Sequence, residues 1–91
     1  MVKKEVDYHG LVAQGAILVD VRTGAEFARG SVPGAKNVPY EHLLQHLDAF
    51  GSKEQSIIVF CESGRRAEMA KVILNQQGWG EVYNMGSHRD W

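Results

Sequence analysis

Two apolar runs and two amphipathic stripes divide this chain into alternating elements. Ala16-Ile17-Leu18-Val19-Asp20-Val21 is apolar at adjacent positions, the mark of a central strand covered on both faces. Ile57-Ile58-Val59-Phe60 has the same character and predicts a second strand over 56–60. Between them Tyr40, Leu43, Leu44 and Leu47 fall at i, i+3, i+4 and i+7. That spacing predicts one amphipathic helix ending near Phe50-Gly51. From Arg66 onward Met69, Ala70, Ile73 and Leu74 form a second stripe, ended by Gly78 where a helix C-terminus favours glycine.

Shorter patterns fill the gaps. Tyr8, Leu11 and Val12 predict a short helix over 7–15 with Asp7 as N-cap. Thr23 is placed to cap a helical turn over Gly24–Ala28, and Gly30-Ser31-Val32-Pro33-Gly34-Ala35 is dense in turn residues. Asn37-Val38-Pro39 reads as a brief edge strand, where a proline without an N–H does little harm. Glu81-Val82-Tyr83-Asn84-Met85 reads as a last strand. Strands alternating with helices predict an α/β domain with a mostly parallel sheet. The 91 residues fit one domain, 1–91.

That fold class locates the chemistry. In open parallel sheets the functional crevice lies beyond the C-terminal ends of the strands. Asp20-Val21-Arg22 ends one strand and Cys61-Glu62-Ser63-Gly64-Arg65-Arg66 follows another. A cysteine between a strand end and a helix N-terminus faces free backbone N–H groups, which stabilise a thiolate. A positive φ at Gly64 would let the N–H groups over 62–67 converge on the sulfur. Side chains between those groups must then point outward. The amides therefore dominate, and Arg65 and Arg66 act chiefly on an incoming anion, with Glu62 opposing them. A lone cysteine after an apolar strand is by itself only a small buried hydrophobe. A structural cysteine, however, has no use for a glycine-bent cationic loop at a helix start. Asp20 and Arg22 read as a strand-end ion pair that braces two loops.

Composition narrows the partners. A formal net charge of −1 gives no basic footprint, so no nucleic acid is expected. One cysteine cannot form an internal disulfide, and no paired-cysteine metal motif exists. His42 and His46 stand at i, i+4, but Leu43 follows His42, so the pair reads as a solvated face and no metal is expected. His9 and His88, in the end segments, take no assignment. Trp79 and Trp91 read as packing residues. No run approaches transmembrane length, so no membrane is expected. Lys3 and Lys4 precede no apolar stretch, and no signal peptide is read. The expected location is the cytoplasm, with the periplasm open to a chain whose leader has been removed.

Three motifs give the chain a resemblance to the rhodanese (thiosulfate sulfurtransferase) domain, in its small single-domain bacterial form, over nearly its whole length. The first is Leu18-Val19-Asp20-Val21-Arg22, followed by Glu26-Phe27, Gly30 and Val32-Pro33-Gly34-Ala35-Lys36-Asn37-Val38-Pro39. The second, Cys61-Glu62-Ser63-Gly64-Arg65-Arg66, resembles the family's six-residue active-site loop. The third is Val82-Tyr83-Asn84-Met85-Gly86 with Trp91. The family usually carries histidine where Ser31 stands and a second glycine where Ser87 stands, both expected here as structural substitutions. Glu62 holds a position that is often basic or small.

The resemblance implies a five-stranded, mostly parallel sheet with helices on both faces. It implies double displacement through a persulfide on Cys61, with Glu62, Ser63, Gly64, Arg65 and Arg66 as the substrate-binding loop. The partners would be a small anionic sulfur donor such as thiosulfate and a thiol or cyanide acceptor, with no metal or organic cofactor. A domain of this kind could also serve as a persulfide relay docking a protein, with Glu62 and Arg65 as rim contacts. Phosphatases and arsenate reductases with related loops use Cys-x5-Arg, a cradle sized for a tetrahedral oxyanion. Here Arg66 follows Cys61 after four residues, which suits a single sulfur better.

Overall fold

A computed structural model of the protein describes residues 5–91. Its sheet is parallel throughout, with strands β1 (Ile17–Asp20), β2 (Lys36–Asn37), β3 (Ile57–Cys61) and β4 (Val82–Ser87) in the order β2-β1-β3-β4. The described residues form four strands, not the five implied by resemblance. Those ahead of β1 are taken up by helix α1 (Tyr8–Ala13) and its closing turn. Asp7 caps α1 as predicted, its carboxylate accepting the N–H of Gly10 at 2.9 Å.

Side-chain alternation along β3 builds a core on each side of the sheet. Ile57, Val59 and Cys61 face a cluster that contains Ala67, Ala70 and Leu74 of α3 (Arg65–Gln76). Ile58 and Phe60 face a second cluster, against which Tyr8 and Leu11 of α1 and Trp91 pack. All five β3 residues are buried, which explains why the run has no polar alternation. The same period sends the Cys61 side chain to the α3 side of the sheet.

Two amphipathic stretches differ from their predicted form. Residues 40–50 form two 3₁₀ turns, Tyr40–Gln45 and Leu47–Phe50, instead of one α-helix. In a 3₁₀ turn residues three apart eclipse, so Tyr40 pairs with Leu43 and Leu47 with Phe50. His46 (φ −133°, ψ 34°) resets the phase between them. Leu43 and Phe50 become fully buried, while Leu44 points to solvent. On α3 the buried stripe is Ala67, Ala70 and Leu74, with Ile73 half-buried and Met69 exposed. Small residues let the helix lie close to β3 there, which turns Met69 outward.

Candidate active site

The C-terminal ends of β1, β3 and β4 meet at one edge of the sheet, and the site is built there. Cys61, the last residue of β3, is fully buried. Its Sγ accepts the backbone N–H of Gly64 at 3.0 Å and that of Ala67 at 3.4 Å. Gly64 has φ 95° and is the N-cap of α3. A Cβ at Gly64 would stand 3.3 Å from the Cα of Gly86, so both the left-handed backbone and the close approach to β4 require glycine. Converging amides and a helix N-terminus form a cradle for a sulfur anion.

Asn84 of β4 holds that cradle in place. Its amide donates to the Gly64 carbonyl at 3.1 Å and to Glu68 Oε1 at 3.0 Å, while its oxygen accepts the N–H of Gly86 at 2.9 Å. A bulge in β4 makes this possible: Val59 is opposite Asn84, yet Phe60 is opposite Gly86. The extra residue bends the strand and re-aims its end.

Asp20 and Arg22 form the predicted brace, and its reach is wider than a pair. Both are buried. The Arg22 guanidinium donates through Nε and Nη2 to the Asp20 carboxylate at 2.7–3.0 Å, and Nη2 also reaches the Gly30 carbonyl at 2.7 Å. The Ser31 hydroxyl donates to Asp20 Oδ2 at 2.7 Å. Ser31, where the family usually has histidine, thus ties the turn-rich loop to β1. Asn37 closes the set by donating to the carbonyls of Asp20 and Arg22, each at 3.0 Å. Removing one partner of such a buried pair typically costs ~3–5 kcal/mol, because the other charge is left uncompensated.

The loop side chains divide into three kinds. Arg65 and Ser63 are exposed, and Arg65 forms no ion pair among the described residues. Arg66 is engaged: its guanidinium grips Glu26 through two bonds of 2.7 and 3.1 Å. Glu26 also completes a capping box with Thr23 at the start of α2 (Gly24–Ala28), accepting the Thr23 N–H at 3.0 Å. The Arg66 guanidinium, helped by the Thr23 N–H, holds the Glu26 carboxyl down at about 2. Glu62 is the third kind. Its carboxylate meets Arg89 at 2.5 Å and His88 Nε2 at 3.1 Å, with Arg22 Nη1 at 4.0 Å. Arg89, and after it His88, depress its acidity range below the usual carboxylate value.

The model of the rhodanese-like domain matches residues 5–91. The chain belongs to the rhodanese-like family. A sulfurtransferase of Allochromatium vinosum is 38% identical over 72 residues, covering 79% of this chain and 66% of that protein. The thiosulfate sulfurtransferase PspE of Escherichia coli K12 is 32% identical, covering 79% and 70%. A putative sulfur carrier protein of Bacillus subtilis, YrkF, is 31% identical, covering 81% of this chain but only 40% of its own length. Among solved structures, an E. coli rhodanese with anions superposes with a TM-score of 0.80 at 29% identity, over 85% of this chain and 92% of that one.

Four residues of this rhodanese-like site had no role in the sequence reading. Glu26 and Asn84 stood within quoted motifs, but their partners lie 40 and 20 residues away. His88 and Arg89 carried a usable signal. They follow β4, and strand ends of a parallel sheet share one edge, so they were bound to emerge beside the cysteine loop. By contrast His42 and His46 are exposed, as the sequence reading had them on a solvated face.

Proposed function

We propose that this rhodanese-like domain is a sulfurtransferase that carries sulfane sulfur as a persulfide on Cys61. One observation carries the reading: Sγ sits at the start of α3 and accepts two backbone N–H groups. Preorganised donors of this kind stabilise negative charge without reorganisation. With thiosulfate, the Cys61 thiolate attacks the sulfane sulfur. A new S–S bond forms at Sγ as the S–S bond of thiosulfate breaks, and sulfite leaves with the electron pair. The persulfide anion remains in the cradle. Cyanide or a thiolate then attacks its outer sulfur, taking that atom and returning the Cys61 thiolate. Thiosulfate is the donor named for the E. coli relative PspE, and Arg65 stands exposed at the rim to meet its sulfonate end.

Mass spectrometry of the intact protein tests this. After thiosulfate the chain is expected to be heavier by one sulfur atom, and cyanide should remove the addition. Cys61→Ser should fold and take up nothing; uptake by that variant overturns the mechanism.

A relay reading is favoured by a separate feature. Met69 and Val72 are exposed on α3 and, with Ile73, Arg65 and Glu68, line an apolar groove beginning at the loop. Transfer from a persulfide-bearing protein, with no adduct from thiosulfate, would select the relay.

A further inference from the structure

We infer that Arg89 is a second residue, beside Arg65, that selects for an anionic sulfur donor, and that Glu62 is its resident counter-ion, displaced when the donor binds. The inference rests on the sulfurtransferase reading and deepens it by naming the donor's recognition group.

Among the described residues, charge pairing around the cradle leaves Arg65 exposed and unpaired at the loop and ties up most of the other cations. Arg22 is buried and spent on Asp20. Arg66 lies in a two-bond pair with Glu26. Arg89 differs from both. Its side chain is 64% exposed, and its ion-pair partner is Glu62, itself 44% exposed. A pair this exposed holds only weakly against solvent, so an arriving dianion can replace the carboxylate.

Position supports the assignment. Ser87 is the register partner of Cys61, so Glu62 and His88 are the next residues out on neighbouring strands. Arg89 follows on the 3₁₀ turn His88–Asp90. That turn is fixed by a double cap: Ser87 Oγ accepts the Arg89 N–H at 3.1 Å, and Asp90 Oδ2 accepts the Ser87 N–H at 2.9 Å. Ser87, where the family usually has glycine, therefore presents Arg89 on a rigid mount. His88 tightens the grip on Glu62. With the proton on Nε2 it donates to Glu62 Oε1 and cannot also accept from Arg89 Nη1, 3.4 Å away. Arg89 is thereby left to the carboxylate, or to what replaces it.

The experiment is steady-state kinetics with two donors of different charge, the thiosulfate dianion and the methanethiosulfonate monoanion, and cyanide as acceptor. Both donors surrender a sulfane sulfur, releasing sulfite and methanesulfinate respectively. Arg89→Ala is expected to lower kcat/KM for thiosulfate by about two- to fivefold, the scale of one partly exposed charge contact. The loss should be smaller for methanethiosulfonate, kcat/KM for cyanide should hold, and Arg89→Lys should recover most of the loss. A fall in kcat/KM for both donors and for cyanide alike would mean that Arg89 only supports the cradle, and overturns the inference. So does an unchanged kcat/KM for thiosulfate. If the unaltered protein takes no sulfur from either donor, the sulfurtransferase reading falls and this inference with it; sulfur uptake with an indifferent Arg89 overturns this inference alone.

Discussion

At the scale of single residues, Gly64 has more demands on it than any other position in the loop. Its φ of 95° is costly to a residue with a Cβ, its Cα packs on Gly86, and its N–H is the shorter of the two bonds to Sγ. Gly64→Ala is expected to lower the free energy of unfolding by ~1–3 kcal/mol, as read by urea denaturation. Because relief of that strain would turn the residue 64 N–H away from the developing negative charge, persulfide formation should slow by about tenfold or more. A variant that loses stability while forming persulfide at the original rate would separate the two roles. The need for glycine was legible in the sequence, because amides that converge on the sulfur over 62–67 call for a positive φ at Gly64. The roles of Asn84 and Glu26 were not, because a side chain that supports a loop from 20 or 40 residues away leaves no local pattern.

Between elements, the Glu26–Arg66 pair joins the first turn of α2 to the start of α3. Arg66 had been expected to draw in the donor, but its two bonds to Glu26 make it a brace between helices. The pair also sets a pH dependence. Glu26 drops from 4.5 to about 2 in the folded protein, so its contribution to stability is complete above pH 4.5 and is lost as pH falls toward 2. Glu26→Gln should therefore be less stable than the original chain near neutrality, and the gap should close over that acid interval in thermal unfolding scans. A gap that is constant with pH would rule out the ionised pair as its source. Elements were legible in the sequence to different degrees. β1 and β3 are buried on both faces, and continuous apolar runs declare this. The 40–50 segment misled because an i, i+3, i+4, i+7 pattern is shared by one α-helix and by two 3₁₀ turns out of phase. On α3 the apolar surplus at Met69 and Val72 blurred the true buried stripe.

Across the whole molecule, alternation along β3 has an effect on the site that reaches past the loop. The residue that reacts is also a core residue: Cys61 is fully buried and packs in the same cluster as Val59, Leu74 and Trp79. Nearly everything needed to bring it there is in the fold's own logic of parallel strands and short crossovers. What the sequence could not display was how completely the sulfur would be enclosed. An enclosed sulfur is expected to select reagents by their width. A reagent that extends a single narrow atom toward Sγ is expected to be hindered less than a broad one. Relative to a free thiol, the folded protein should therefore be protected from a maleimide bearing a bulky substituent far more than from iodoacetamide, measured by the rate of thiol loss. In urea each rate should approach its own free-thiol value, and equal selectivity in both states would mean that the wall around Cys61 is no barrier. A donor would then be chosen twice, by charge at the rim and by width at the sulfur.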